Sequence, residues 1–137
     1  MRARAALASF VRRSGDRRLE RTVASGPALA VLLRAGAARF DPAAAQGFSG
    51  DLQLDLRSAA GGVRAWTIAI SGRRARVRRG TAAEPAVVIR LARADLARLA
   101  AGELDVGRAL LAGRLDVEGD LETAMRIGPM FGGPSLL

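Results

Sequence analysis

The chain has no cysteine, histidine, lysine, tyrosine or asparagine. Each absence removes a kind of chemistry. Without cysteine there is no disulfide, no thiolate nucleophile and no thiolate zinc site. Without histidine the commonest general base and metal ligand is gone. Without lysine there is no Schiff-base chemistry and no phosphate-loop lysine. Most catalysis is thereby excluded, and the expectation is a non-enzyme with no cofactor and no metal. No apolar run approaches the ~20 residues that span a bilayer. The opening stretch, MRARAALASFVRR, is closed too quickly by arginine to read as a signal peptide. A cytoplasmic location is expected.

What is present is a chain of 137 residues, half of them hydrophobic. That length suits one domain. The apolar residues are mostly Ala, Leu and Val, so the core is either rich in small residues or partly hollow. All 22 basic residues are arginine, and the net charge is +9. Such a charge raises nucleic acid and anionic membranes as partners; its plain alternative is solubility by self-repulsion.

Residues 1–26 read as a basic helical extension, with residues 27–137 as the domain. Leu7, Phe10 and Val11 share one side of a first helix, and Leu19 and Val23 make a second apolar pair. A helix from Pro27 carries Leu29, Leu32, Leu33, Gly36 and Phe40, and Asp41-Pro42 ends it. The period then changes to two. Leu52, Leu54 and Leu56 alternate with Asp51, Gln53 and Asp55, which form a solvated strand face. Trp66, Ile68 and Ile70 define a second strand, Ala75 and Val77 a third, and Val87 to Leu91 a fourth. The expectation for this middle section is a meander of antiparallel strands. Leu96, Leu99 and Ala100 then mark a helix stopped by Gly102. Asp105 caps a short helix stopped by Gly113. Leu115 and Val117 form a fifth strand, and Asp120 caps a last helix.

Within this order, Trp66-Thr67-Ile68-Ala69-Ile70 before Gly72, then Glu84-Pro85-Ala86-Val87-Val88-Ile89, form a recognisable combination. So do Leu96 to Gly102-Glu103, Ala109 to Leu115, and Val117-Glu118-Gly119-Asp120. Together they resemble the sterol carrier protein type 2 family over residues 48–131, and more weakly over 27–47. The resemblance implies an α+β fold: a five-stranded mixed, mainly antiparallel sheet with helices packed on one face, enclosing an apolar cavity. It implies non-catalytic binding of a sterol, fatty acyl or polyprenyl type of ligand, as carrier or presenter.

The residues expected to contact such a ligand are Ile68, Ile70, Leu96, Leu111, Leu121, Met125, Met130 and Phe131. Ordinary core closure is the competing reading for such stripes. Methionine suits promiscuous apolar sites because it is flexible and polarizable. Arg74, Arg76 and Arg78 form one strand face, expected to contact an anionic membrane surface or another anion. Nucleic-acid binding through the same arginines is disfavoured by the lack of interleaved aromatics. Asp116, Glu118, Asp120 and Glu122 do not follow a calcium-loop pattern. Two further readings stay open: a structural or interaction subunit with a filled core, and a homodimer using the N-terminal arm.

Overall fold

The computed structural model describes residues 2–22 and 25–131, with side chains from residue 5. Val23 and the apolar tail 132–137 lie outside the described residues. Helices α1 (Arg2–Arg13), α2 (Asp16–Arg21), α3 (Gly26–Ala38) and α4 (Pro42–Ala45) precede strands β1 (Gly50–Arg57), β2 (Val63–Ser71), β3 (Arg74–Arg79) and β4 (Pro85–Ala92). Then come α5 (Arg93–Ala100), α6 (Val106–Leu111), β5 (Leu115–Gly119) and α7 (Leu121–Met130). The sheet has five strands in the order β3-β2-β1-β4-β5.

The expected meander holds only for β1, β2 and β3. Strand β4 does not pair with β3; it crosses over and pairs in parallel with β1. Parallel partners need a crossover. Here residues 80–84 make it by running diagonally across the sheet face opposite the helices. The Thr67 hydroxyl donates to Gly80 O at 2.8 Å, and Ala82 N–H donates to Gln53 Oε1 at 3.0 Å. Gln53 and Thr67 are consequently 8% and 0% exposed. This corrects the reading of the Gln53 face as solvated. Alternation identifies which face a side chain occupies, but not whether a loop covers it.

The inward face follows the period of two. Leu52, Leu54 and Leu56 align with Ile68, Trp66 and Arg64 across β1 and β2, and Leu54 aligns with Ile89 on β4. Leu52, Leu56, Val87 and Leu91 are 0–1% exposed. Each such side chain contributes roughly 1.5–3 kcal/mol by leaving water. The α5 face needs a second correction. Its buried residues are Ala94, Asp95 and Ala97, not Leu96, Leu99 and Ala100. Small residues let α5 approach the sheet and α2 closely, which turns the leucines to its flanks.

Val11 on α1 and Leu19 on α2 join the same core as the sheet. Ion pairs fasten these helices as well. Arg98 on α5 bonds Asp16 and the buried Asp95, while Arg114 lies 3.5 Å from Asp95. Burial works against the Arg98 charge, but the bonds from Asp16 and Asp95 outweigh it and raise its pKa.

Carboxylate caps start three of the helices, at Asp41, Asp105 and Asp120. Asp120 accepts the Thr123 hydroxyl at 2.6 Å and the Glu122 N–H at 3.2 Å. The Thr123 bond is the largest cause of a lowered Asp120 pKa. A depressed carboxylate stabilises the fold above its unfolded-state pKa, and that contribution is lost as pH falls through the folded value. Unlatching of α7 is therefore expected to begin below about pH 4, the ordinary carboxylate range. The protection of the Glu122 and Thr123 amides relative to an unfolded chain should fall there, and in Asp120→Ala it should already be low at pH 7. Equal exchange in both proteins at pH 7 would refute the cap.

Candidate functional site

Where β1, β2 and β3 end beneath the start of α3, the structure leaves a pocket of about 220 Å³. Its lining is Gly26, Leu29, Leu56, Arg64, Ala65, Trp66, Arg79 and Arg93. Leu29, Leu56 and Trp66 are 3%, 1% and 5% exposed, so its floor belongs to the core. Arg64 and Arg79 are exposed and form its rim. The Arg79 guanidinium stacks 5.3 Å above the indole of Trp66, a cation–π arrangement. Arg93 is more enclosed, with its Nε 3.8 Å from Glu20. Glu20 also accepts the Ala59 N–H at 2.8 Å, which ties α2 to the first hairpin beside the pocket.

The residues expected from sequence to contact a ligand lie elsewhere. Ile68 and Ile70 are core residues under the helices, and Met130 is 0% exposed. Met125 and Leu96 are half-buried on α7 and α5. Phe131 is half-buried, its ring 5.8 Å from that of Phe40. Leu111 and Leu121 face solvent at 90% and 59% exposure. None of these side chains lines the pocket.

The signal for the pocket was present in the strand phase. Arg64 shares parity with Trp66, Ile68 and Ile70, and Arg79 shares it with Ala75 and Val77. Both are thus arginines on the inward phase of otherwise apolar strands, and register brings Arg79 opposite Trp66.

Arg74, Arg76 and Arg78 are exposed on the other face of edge strand β3. Arg78 bonds the Thr81 carbonyl at 3.1 Å. None of the three has a carboxylate within ion-pair distance among the described residues. At the opposite edge, Asp116 and Glu118 on β5 engage Arg90, which also lies 3.7 Å from Asp55. The Glu118 bond leads in raising the Arg90 pKa, with Asp116 adding to it against slight desolvation. This face is therefore cationic at β3 and neutralised at β5. Among the described residues no cluster of acidic side chains could hold a metal ion, and no helix is long and apolar enough to cross a membrane.

A family model described as the SCP-2 sterol transfer family matches residues 30–132. Sterol carrier protein 2-like 2 from Aedes aegypti is 26% identical in its crystal structure, covering 70% of this chain and 89% of that one, with TM-score 0.58. The palmitated form of that Aedes aegypti protein in solution gives TM-score 0.62 at 24% identity, over 77% of this chain and 96% of that one. The sec-alkyl sulfatase PisA1, as a double mutant, gives TM-score 0.62 at 20% identity. It covers 81% of this chain but only 17% of that enzyme, so the fold also occurs as a minor part of a catalyst. Among curated proteins none matches.

Proposed function

The chain belongs to the SCP-2 sterol transfer family, and from that premise we propose that it is a non-catalytic carrier or presenter of an apolar or amphiphilic lipid, working in the cytoplasm. The observation that carries this reading is the pocket over Leu29, Leu56 and Trp66, between the sheet and the helices. Burial of an alkyl chain there is worth roughly 25 cal/mol per Å². A similar fold is described in a palmitated state, which supports a fatty acyl type of ligand. The inventory of side chains favours binding over catalysis, since a lipid pocket needs few polar groups.

Delivery requires a membrane encounter, and the Arg74, Arg76 and Arg78 stripe suits an anionic leaflet. Each arginine near such a surface is worth about 1 kcal/mol, so three correspond to roughly a hundredfold in binding. In a transfer assay, the wild-type chain should load a fluorescent fatty acid and move it between vesicles containing phosphatidylserine. The triple variant Arg74→Ser, Arg76→Ser, Arg78→Ser should still load, but bind those vesicles about a hundredfold more weakly. Absence of loading, with no lipid recovered by native mass spectrometry, would defeat the carrier reading. Tighter binding of RNA than of vesicles at equal salt would assign the stripe to nucleic acid instead.

A second reading has one observation in its favour. Ile68 and Ile70 belong to the closed core against the sheet, and Met130 is fully buried, as in an interaction subunit that retains the fold. It predicts a co-purifying partner and no loading.

A further inference from the structure

The rim of the pocket is an unusual boundary for an apolar floor. Arg64 and Arg79 project from adjacent strands, on the face that otherwise buries only apolar side chains. Neither has a carboxylate within ion-pair distance among the described residues. Arg93 lies at the same opening with its guanidinium held by Glu20, through the carboxylate and the backbone carbonyl. Gly26, the first residue of α3, lines the same space. The N-terminus of α3 therefore borders it. Like charges are not gathered around one opening without cost; an anion seated among them removes that cost.

We propose that Arg64 and Arg79 form a phosphate-monoester site at the mouth of this pocket, taking a single-chain amphiphile by its head. Guanidinium forks match phosphate oxygens in pairs. A monoester carries close to two charges near neutral pH and three acceptor oxygens, which suits two guanidinium forks arriving from adjacent strands better than a carboxylate does. The volume bounds the rest of the ligand. A cavity of about 150 Å³ takes a benzene ring, so about 220 Å³ takes the first several carbons of a chain, not a fused-ring system. Trp66, Leu29 and Leu56 would receive those carbons. The chain half of the proposal rests on the lipid-carrier reading, whereas the phosphate half does not.

The test is calorimetric titration of the full chain at about 0.15 M salt with octyl phosphate, octanoate, octanol and inorganic phosphate. The emission of Trp66, the single tryptophan, reports location. Octyl phosphate should bind at least tenfold tighter than octanol or octanoate and shift the Trp66 emission. In Arg64→Gln, Arg79→Gln that preference should vanish while octanol affinity is unchanged. Arg74→Gln, Arg76→Gln removes the same charge from the opposite face and should preserve the preference. Equal affinity of octyl phosphate and octanol in the wild type would overturn the proposal, as would equal loss in both double variants. Octanoate binding as tightly as octyl phosphate would overturn the monoester assignment. If inorganic phosphate alone matches octyl phosphate, the anion site stands with a soluble phosphate as its ligand, and the lipid reading of the pocket falls.

Discussion

Replacing Gly119 by valine is expected to cost on the order of 4 kcal/mol or more, a range reached only when a specific mechanism is at work. Two such mechanisms coincide here. The backbone at Gly119 has φ +112, which side-chain-bearing residues rarely adopt. A Cβ there would also overlap the carbonyl oxygen of Ala86 and lie 3.2 Å from Val87 Cα, so the clash is with backbone on the neighbouring strand. No rotamer relieves it. Gly119 pairs with Val87, and the next residue, Asp120, donates its N–H to Ala86 O at 3.2 Å. The last rung of β5 and the cap of α7 would part together. Gly113 provides the contrast: its φ is +72, but nothing lies within 4 Å of an added Cβ. Gly113→Ala should therefore cost only about 1–2 kcal/mol of backbone strain. Urea denaturation of both variants checks this. Gly119→Val within 1 kcal/mol of Gly113→Ala would show that the strand spacing relaxes to admit a side chain. Against a net stability of about 5–15 kcal/mol for a typical domain, the expected loss is close to unfolding.

That contrast also shows what was legible in the residues and what was not. Glycines and aspartates from Gly102 to Asp120 mark helix stops and caps, and the structure places them as Asp105 and Asp120 caps with positive-φ glycines between. Local chemistry determines such features, so local sequence displays them. The order of elements and the inward phase of each strand were readable for the same reason. The parallel pairing of β4 with β1 was not. Nothing within Glu84 to Leu91 distinguishes a fourth meander strand from one that has crossed two neighbours. The distinction lies in hydrogen bonds that Thr67 donates to, and Gln53 accepts from, a loop some thirteen and twenty-nine residues away. The expected ligand residues rest on a different kind of signal. Met125, Met130 and Phe131 stand out by residue type, and type does not report where space is left. The pocket sits where two inward-phase arginines are too long and too charged to be buried, so the sheet and α3 part around them.

Trp66→Ala is the second large effect, and it bears on function as well as stability. The indole is 5% exposed, lies in the core cluster and forms one wall of the pocket. Truncating a buried aromatic typically costs about 3–5 kcal/mol, part of it from the cavity left behind. Arg79 would also lose the ring it covers, a contact worth roughly 0.5–1 kcal/mol at an exposed site. Circular dichroism during thermal unfolding gives the loss without needing the tryptophan as probe. The informative measurement is the same melt with octyl phosphate in excess. A ligand that binds only the folded chain stabilises it by about 2.7 kcal/mol at a hundred times its Kd. If its alkyl chain lies against Trp66, the variant offers more room, and longer chains should stabilise it more than they stabilise the wild type. Decyl phosphate should then out-rescue octyl phosphate in Trp66→Ala, with no such difference in the wild type. Rescue independent of chain length in both proteins would place the alkyl chain away from Trp66. Core and pocket share this wall, so its position alone links the stability of the domain to the size of ligand it admits.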